Sequence, residues 1–206
     1  MTFIFGIVLA YLVGSIPTAY IFGKLLKGID IRQHGSGNVG ATNVFRCLGK
    51  GPGFIVLFLD ILKGVLPVVV VGSALGLTEN IPLILLAFAA VAGHNWTVFL
   101  NFKGGKGVAT SLGVLIGLMI KIAGIRIVVL GTFLVWVVTF LISSIVSISS
   151  ILAALALPGL MIIYQQPPEL LVLGLVFGGF IIIRHWPNIK RLLAGSEPRV
   201  KLPFRK

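Results

Sequence analysis

Long, uninterrupted runs of apolar residues constrain this chain more than any other feature of its sequence. Of its 206 residues, 57% are hydrophobic and only 11% are charged, which is more apolar material than a water-soluble domain of this size needs. Only helices and closed barrels satisfy the backbone inside lipid, and these runs are continuous rather than alternating, so they predict helices. The sequence therefore predicts an all-α, polytopic integral membrane protein.

Seven of these runs are candidates for transmembrane helices, although several lie near the short end of what crosses a hydrocarbon layer of about 30 Å. They cover residues 2–22, 53–75, 81–100, 107–122, 124–142, 145–164 and 169–183. The fourth is the weakest candidate, since its division from the fifth is not marked clearly. We expect residues 1–206 to form a single transmembrane domain.

The distribution of positive charge predicts the orientation of these spans. The net charge is +12, from 17 Lys and Arg against 5 Asp and Glu. On one side, residues 24–50 carry five Lys or Arg, residues 101–106 carry two and the tail from Arg184 carries seven; the other side carries only the two in residues 121–126. The positive-inside rule then places the N-terminus outside and the C-terminus in the cytoplasm. Basic residues beside apolar spans favour a membrane surface and phosphorylated substrates over nucleic acid.

A glycine-rich segment, residues 34–43, lies between the first two spans and reads His-Gly-Ser-Gly-Asn-Val-Gly-Ala-Thr-Asn. Three closely spaced glycines let successive backbone N–H groups turn toward one point, a nest that binds anions. Arg32 and Arg46 flank the segment as permanent positive charges suited to phosphate. The alternative is a flexible linker. We call this segment the first glycine loop.

A second loop of similar character precedes the fourth span. Lys103 and Lys106 bracket two glycines, and the segment opens directly into the predicted helix. Free N–H groups at a helix N-terminus, together with nearby lysines, form a phosphate site. A positive-inside anchor with a tight turn would explain the lysines but not three glycines at a helix start. We call residues 103–107 the second glycine loop.

The second span carries two charges, Asp60 and Lys63, which share a helix face. Charges at this depth are costly and are usually paired or functional. They form either an internal ion pair that locks helices together or a group that orients a site, and the two roles are compatible. The third span contains His94 near its end, and a lone histidine there is more often structural than catalytic.

The sixth span opens with a series of serines. Ser143, Ser147 and Ser150 are spaced to share one helical face. Such hydroxyls contact a ligand or simply let helices pack closely, and the sequence does not choose between the two.

The last span ends in a segment rich in basic residues. Arg184, His185, Asn188 and Arg191 share one side of a helical continuation if Pro187 lies in its first turn. A basic stripe of this kind attracts anionic lipid, but the interspersed His and Asn favour a binding site.

Several kinds of chemistry are disfavoured by what the sequence lacks. With only five acidic residues there is no carboxylate cluster for Mg²⁺ or Ca²⁺, and there is no Cys/His set for zinc. No His-x4-Asp dyad and no Ser-His-Asp triad is apparent. We therefore expect no metal and no other cofactor, and chemistry that rests on positioning and electrostatics.

These motifs together resemble one family. Residues 35–43, Asp60-x-x-Lys63-Gly64, Gly93-His94 with residues 103–107, and Arg184-His185 with Asn188-Ile189-x-Arg191-Leu192 are similar, in order, to the bacterial acyl-phosphate:glycerol-3-phosphate acyltransferase (PlsY) family. The resemblance covers nearly the whole chain. It implies transfer of a fatty acyl group from acyl phosphate to the 1-position of sn-glycerol 3-phosphate, giving lysophosphatidic acid and inorganic phosphate.

The resemblance also implies roles for individual residues. Ser36, Lys106 and His185 are the expected catalytic residues, and the proton acceptor is either His185 or an oxygen of the substrate's own phosphate. Expected substrate contacts are Gly37, Asn38, Gly40, Thr42, Asn43, Arg46, Lys103, Gly104, Ser147, Ser150, Asn188 and Arg191. Asp60, Lys63 and His94 are expected to support the site. We expect a monomer in the bacterial cytoplasmic (inner) membrane, in contact with membrane lipid, with its active site facing the cytoplasm.

The chain departs from the family pattern in two places. The family has a basic-aromatic pair before its serine motif, whereas residues 144–150 read Ser-Ile-Val-Ser-Ile-Ser-Ser without the positive charge. Thr97 replaces a common proline. A small transporter for an anionic metabolite and a non-catalytic regulator of lipid synthesis are the competing functions, but the anion-binding elements collect on one side rather than at a midplane between inverted repeats.

Overall fold

The structure is a computed structural model, and it describes residues 1–200. Every regular element in this part of the chain is helical, which confirms the predicted fold class. The chain divides into two compact units, Met1–Ile122 and the residues from Ala123 onward. The first unit contains α1 (Thr2–Ser15), α2 (Thr18–Lys27), α3 (Ala41–Leu48), α4 (Lys50–Leu66), α5 (Gly72–Ala74), α6 (Asn80–Asn95) and α7 (Val108–Lys121). The second contains α8 (Arg126–Ser143), α9 (Val146–Ile163), α10 (Pro168–Arg184) and α11 (Trp186–Leu193).

The prediction of seven spans is not confirmed. Five segments of the described chain are long and apolar enough to cross a membrane, and a sixth is obtained if α10 and α11, bent by 58°, count as one. The five are Thr2–Lys27, Lys50–Ala74, Asn80–Leu100, Ala123–Ser143 and Val146–Ile163. The predicted span 107–122 is α7, which has 14 residues and is therefore only about 21 Å long. Its ends lie within one residue of the predicted ones, so the segment was located correctly, but as a helix it is shorter than the hydrocarbon layer is thick.

Two breaks in the first unit coincide with prolines. Ile16 and Pro17 separate α1 from α2, as expected for a residue that lacks an N–H donor and clashes with the preceding turn. Pro67 follows α4 directly and begins a π-helical turn, Pro67–Val71, which leads into α5. At the first break the Ile16 carbonyl accepts a hydrogen bond from a side chain of α4, the Lys63 ammonium.

The first unit is held together by close helix crossings. α1 packs on α6, and α4 packs on α7. At the second crossing Gly64 and Gly113 face each other so closely that a Cβ on Gly113 would collide with the Ile61 carbonyl. Small residues at such contacts let helix backbones approach, which is how helices associate in lipid. This crossing fixes the start of α7, and hence the second glycine loop, relative to α4.

In the second unit, α9 packs against both α8 and α10. Ser144 ends α8 in the left-handed conformation, with φ of 58°, so α9 begins only at Val146. The expectation that Ser143, Ser147 and Ser150 share one helical face is therefore wrong. Ser143 belongs to α8, where its Oγ donates to the Thr139 carbonyl at 2.7 Å, while Ser147 and Ser150 remain on α9.

Candidate active site

The first glycine loop is folded around the side chain of Asn43. Its Oδ1 accepts the Ser36 backbone N–H at 2.8 Å, and its Nδ2 donates to the Ile31 and His34 carbonyls at 3.0 Å each. Gly35 and Gly37 adopt φ of 60° and 69°, a conformation that glycine reaches without steric cost. Asn43 is fully buried, so the residue expected to contact substrate serves here to shape the loop.

The remaining polar side chains of this loop lie at the surface. Ser36 and Arg46 are exposed, while Asn38 and Thr42 are half-buried. Thr42 and Arg46 are one turn apart on α3 and share a face. The loop thus offers a hydroxyl, an amide and a guanidinium beside a helix N-terminus, a combination suited to phosphate.

Arg32 does not have the role expected of it. Its guanidinium forms an ion pair with Asp30, with Nη2 2.7 Å from Oδ2, and it lies over the Tyr20 ring at 5.3 Å. Hydrogen bonding from Arg32 lowers the pKa of Asp30 to about 2. The expectation that Arg32 flanks the loop as a phosphate-binding charge missed this carboxylate two residues away, which claims the guanidinium.

The second glycine loop is anchored on the end of α6. The N–H groups of Gly104 and Gly105 donate to the Asn95 and His94 carbonyls at 3.2 and 3.0 Å. Lys103 is exposed, Lys106 is half-buried, and α7 begins at Val108. The predicted arrangement, two lysines bracketing a glycine turn that opens into a helix, is confirmed at the level of secondary structure.

The charges of the second span form a buried ion pair. Lys63 Nζ lies 2.7 Å from Asp60 Oδ1, and it also donates to the Ile16 carbonyl at the α1–α2 break, at 2.9 Å. Asp60 Oδ1 accepts a hydrogen bond from Thr18 Oγ1 at 2.6 Å, and His94 Nδ1 lies 3.8 Å away from it. Asp60, Lys63 and His94 are all buried. We call these four side chains the Asp60 network; they join α2, α4 and α6.

In the second unit, three of the predicted contact residues converge on a single carboxylate. Ser147 Oγ and Asn188 Nδ2 donate to Glu197 Oε1 at 2.7 and 2.6 Å, and Arg191 Nε donates to Oε2 at 2.7 Å. Burial raises the pKa of Glu197, but the hydrogen bonds from Asn188, Ser147 and Arg191 outweigh burial and hold this pKa below its ordinary value. We call these four residues the Glu197 cluster.

Glu197 is the member of this candidate site that sequence reasoning missed. It is 50 residues from Ser147 and beyond the end of α11, so no helical spacing points to it. A usable signal existed, since an acidic residue is rare in this chain and this one follows a basic, His-containing segment at short range.

His185 lies at the bend between α10 and α11, and Pro187 is in the first turn of α11, which was the condition for a helical continuation after the last span. Its Nδ1 is 2.7 Å from the Ile181 carbonyl. A carbonyl oxygen only accepts hydrogen bonds, so Nδ1 carries the hydrogen and Nε2 bears the lone pair of the neutral ring. Ser150 Oγ lies on the neighbouring helix, where it donates to the Val146 carbonyl and accepts from Trp136 Nε1.

Fold and site together define a multi-pass helical membrane protein that carries groups for binding phosphate. Comparison with known proteins makes the class specific, because the glycerol-3-phosphate acyltransferase family model matches residues 4–195. The chain belongs to this family of acyltransferases.

Individual relatives agree along nearly the whole chain. The glycerol-3-phosphate acyltransferase of Trichormus variabilis is 46% identical, with 94% of this chain and 90% of the relative covered. Glycerol-3-phosphate acyltransferase 2 of Moorella thermoacetica is 45% identical, with coverage of 95% and 96%.

Two crystal structures of PlsY, described as an integral membrane glycerol 3-phosphate acyltransferase, share the fold. The glycerol 3-phosphate form matches with a TM-score of 0.88 and the lysophosphatidic acid form with 0.84. Both are 42% identical to this chain and cover 98% of it and 96% of their own chains.

Proposed function

We propose that this protein transfers a fatty acyl group from acyl phosphate to the 1-position of sn-glycerol 3-phosphate, releasing 1-acylglycerol 3-phosphate and inorganic phosphate. The observation that carries the proposal is the meeting of the two glycine loops. A Cβ on Gly105 of the second loop would lie 2.6 Å from the Val39 carbonyl of the first. Two adjoining phosphate-binding loops suit a reaction in which both substrates carry a phosphate.

The chemistry needs no covalent enzyme intermediate, because acyl phosphate is a mixed anhydride with a good leaving group. The C1 hydroxyl of the acceptor attacks the acyl carbonyl carbon and forms the ester bond. The bond from that carbon to the phosphate oxygen breaks, and its electron pair leaves with the phosphate. Lys106 and Ser36 stabilise the charge on the departing phosphate and the carbonyl oxygen, and no metal or cofactor is required.

The other loop groups bind the two phosphates. Backbone and side-chain donors of Gly37, Asn38, Gly40 and Thr42, with the Arg46 guanidinium, belong to the first loop, and Lys103 and Gly104 belong to the second. Asn43 contributes by holding the first loop in shape, since its amide is used by the Ser36, Ile31 and His34 backbone.

His185 is the proton acceptor in this proposal. Its Nδ1 contact with Ile181 favours the tautomer in which Nε2 accepts the proton of the attacking hydroxyl. Asn188, Arg191, Ser147 and Ser150 bind the acceptor in the same unit.

An apolar cavity of about 260 Å³ in the first unit suits the acyl chain. The cavity shares Thr18 and Lys63 with the Asp60 network. The acyl chain of the substrate would enter the cavity sideways from the lipid. The cavity is lined by Val13, Ile16, Thr18, Ile21, Phe22, Leu59, Leu62, Lys63 and Leu66.

Charge supports the proposed setting. Fourteen Lys and Arg in the loops and tail of one side, against two on the other, favour an N-terminus outside and an active site on the cytoplasmic face of the bacterial inner membrane. The protein is proposed to act there as a monomer.

The direct test uses purified protein in lipid with acyl phosphate and labelled glycerol 3-phosphate. We expect lysophosphatidic acid and inorganic phosphate in equal amounts without coenzyme A. Uptake of label into vesicles without acylation would indicate a transporter. If neither acylation nor uptake occurs, a regulator of lipid synthesis is the remaining function. Lys106→Ala and Ser36→Ala should each lower kcat/KM by about 100-fold or more, whereas Lys121→Ala, at the other end of α7, should change it less than twofold.

His185→Gln separates the two candidates for the proton acceptor. If Nε2 of His185 takes the proton, kcat falls by about 100-fold or more and the acidic limb of the pH–rate profile changes. An unchanged kcat would assign the role to the phosphate of the substrate.

A further inference from the structure

His94 is the member of the Asp60 network that also contacts the second glycine loop. It is buried, with 7% of its surface exposed, and its Nδ1 edge faces Asp60 Oδ1 at 3.8 Å. That carboxylate is itself held by Lys63 and Thr18. One edge of the imidazole therefore faces the buried ion pair that joins the helices.

The opposite edge of the ring faces the loop. A Cβ on Gly105 would collide with His94 Nε2, and the same position is confined on its other side by the Val39 carbonyl of the first loop. The Gly105 N–H also donates to the His94 carbonyl at 3.0 Å. Backbone and side chain of His94 thus contact the same residue, which directly precedes Lys106 in the chain.

We infer that His94 is a positioning residue, which presses the second glycine loop against the first and so sets the place of Lys106. A glycine-rich loop has little stiffness of its own. A lysine ammonium lies at the end of a long, flexible side chain, so its position depends on how well the backbone is held. A buried ring supported by an ion pair supplies the missing rigidity, because a site is only as precise as the groups that support it. The inference rests on the proposed function, in which Lys106 binds a substrate phosphate.

The test compares three replacements of His94 by steady-state kinetics. Asn carries its amide nitrogen near the position of Nδ1, whereas Gln reaches the position of Nε2. We expect His94→Ala and His94→Asn to raise the KM for at least one of the two phosphorylated substrates on the order of tenfold. His94→Gln should restore KM to within about threefold of the unaltered protein, because it keeps the contact with the loop.

The choice of KM separates positioning from a loss of folded protein, since a smaller active fraction lowers the maximal rate and leaves KM unchanged. Thr97→Val is the matched control. Thr97 is buried in the segment between α6 and the loop, and its Oγ1 donates to the Ser15 carbonyl at 2.6 Å, toward α1 rather than toward Gly105. The Thr97→Val variant should have a lower unfolding temperature, and both of its KM values should stay within twofold of those of the unaltered protein.

The inference is overturned if His94→Ala keeps both KM values within twofold, or if Asn restores KM and Gln does not. If the alanine variant does not fold, the Asn and Gln variants decide between the same outcomes. Absence of lysophosphatidic acid with the unaltered protein would instead contradict the proposed function, so the two failures are distinct.

Discussion

The Asp60 network and the Glu197 cluster each gather hydrogen-bond donors around one carboxylate, but they do so in different settings. Asp60 lies within a membrane-spanning helix and joins α2, α4 and α6, and its partners are a lysine and a threonine. Glu197 follows the last helix and is held by three side chains predicted to bind substrate. The chain has five acidic residues, and these two have different partners: Asp60 joins helices of the framework, whereas Glu197 holds groups that are proposed to bind substrate.

The largest effect on stability is expected from breaking the Asp60 network. Asp60→Ala leaves the Lys63 ammonium buried without its carboxylate, and removing one partner of a buried pair costs about 3–5 kcal/mol. We expect a large fall in the unfolding temperature of the purified protein in a fixed detergent. Replacing both charges, as in Asp60→Leu with Lys63→Met, should recover most of the loss. If the single and double variants are equally unstable, the ion pair is not what Asp60 contributes.

For Glu197→Ala we expect the opposite pattern, a smaller loss of stability and a larger loss of activity than for Asp60→Ala. Each charge-assisted hydrogen bond to Glu197 is worth roughly 1.5–3 kcal/mol, but the freed donors are only partly buried and regain water. We therefore expect a smaller loss of stability than at Asp60, while Ser147, Asn188 and Arg191 are released together. We expect kcat/KM for glycerol 3-phosphate to fall by about 100-fold. Glu79→Gln, an exposed acid at the start of α6, is the control and should change neither quantity. An active Glu197→Ala variant would show that the cluster is not part of the site.

The pKa of Glu197 gives the cluster a pH dependence of known sign. Because the folded-state pKa lies below the usual 4.5, the unfolded chain binds the proton more readily, so the cluster stabilises the protein above that pH. The stabilisation is lost as the pH falls through the folded pKa. The difference in unfolding free energy between the unaltered protein and Glu197→Gln, which keeps the size of the side chain, should therefore shrink as the solution is acidified from pH 6.

What the sequence could predict differs between the two regions for a physical reason. The Asp60–Lys63 pair, the turn before α7 and the proline at the start of α11 depend on neighbours within a few residues, so their spacing is visible in the chain. The partners of Glu197 and the use of Asn43 inside its own loop depend on tertiary contacts that no periodicity encodes. The number of spans was predicted wrongly for a third reason, since the apolar run of residues 107–122 was located correctly but is too short as a helix to cross the layer.

The smallest effect is expected at the Asp30–Arg32 ion pair, which resembles the Asp60 pair in chemistry but lies outside the spans. The Arg32 side chain is 34% exposed, so water screens the pair, and Asp30→Asn should cost no more than about 1 kcal/mol. The pKa of Asp30 is lowered from 3.8 to about 2, so this contribution is present above pH 3.8 and is lost as the pH falls toward 2. Unfolding free energies of the two proteins at pH 6 and near pH 2 measure it. A cost as large as that of Asp60→Ala would mean that burial does not distinguish the two pairs, and the framework role assigned to Asp60 would then lose its physical basis.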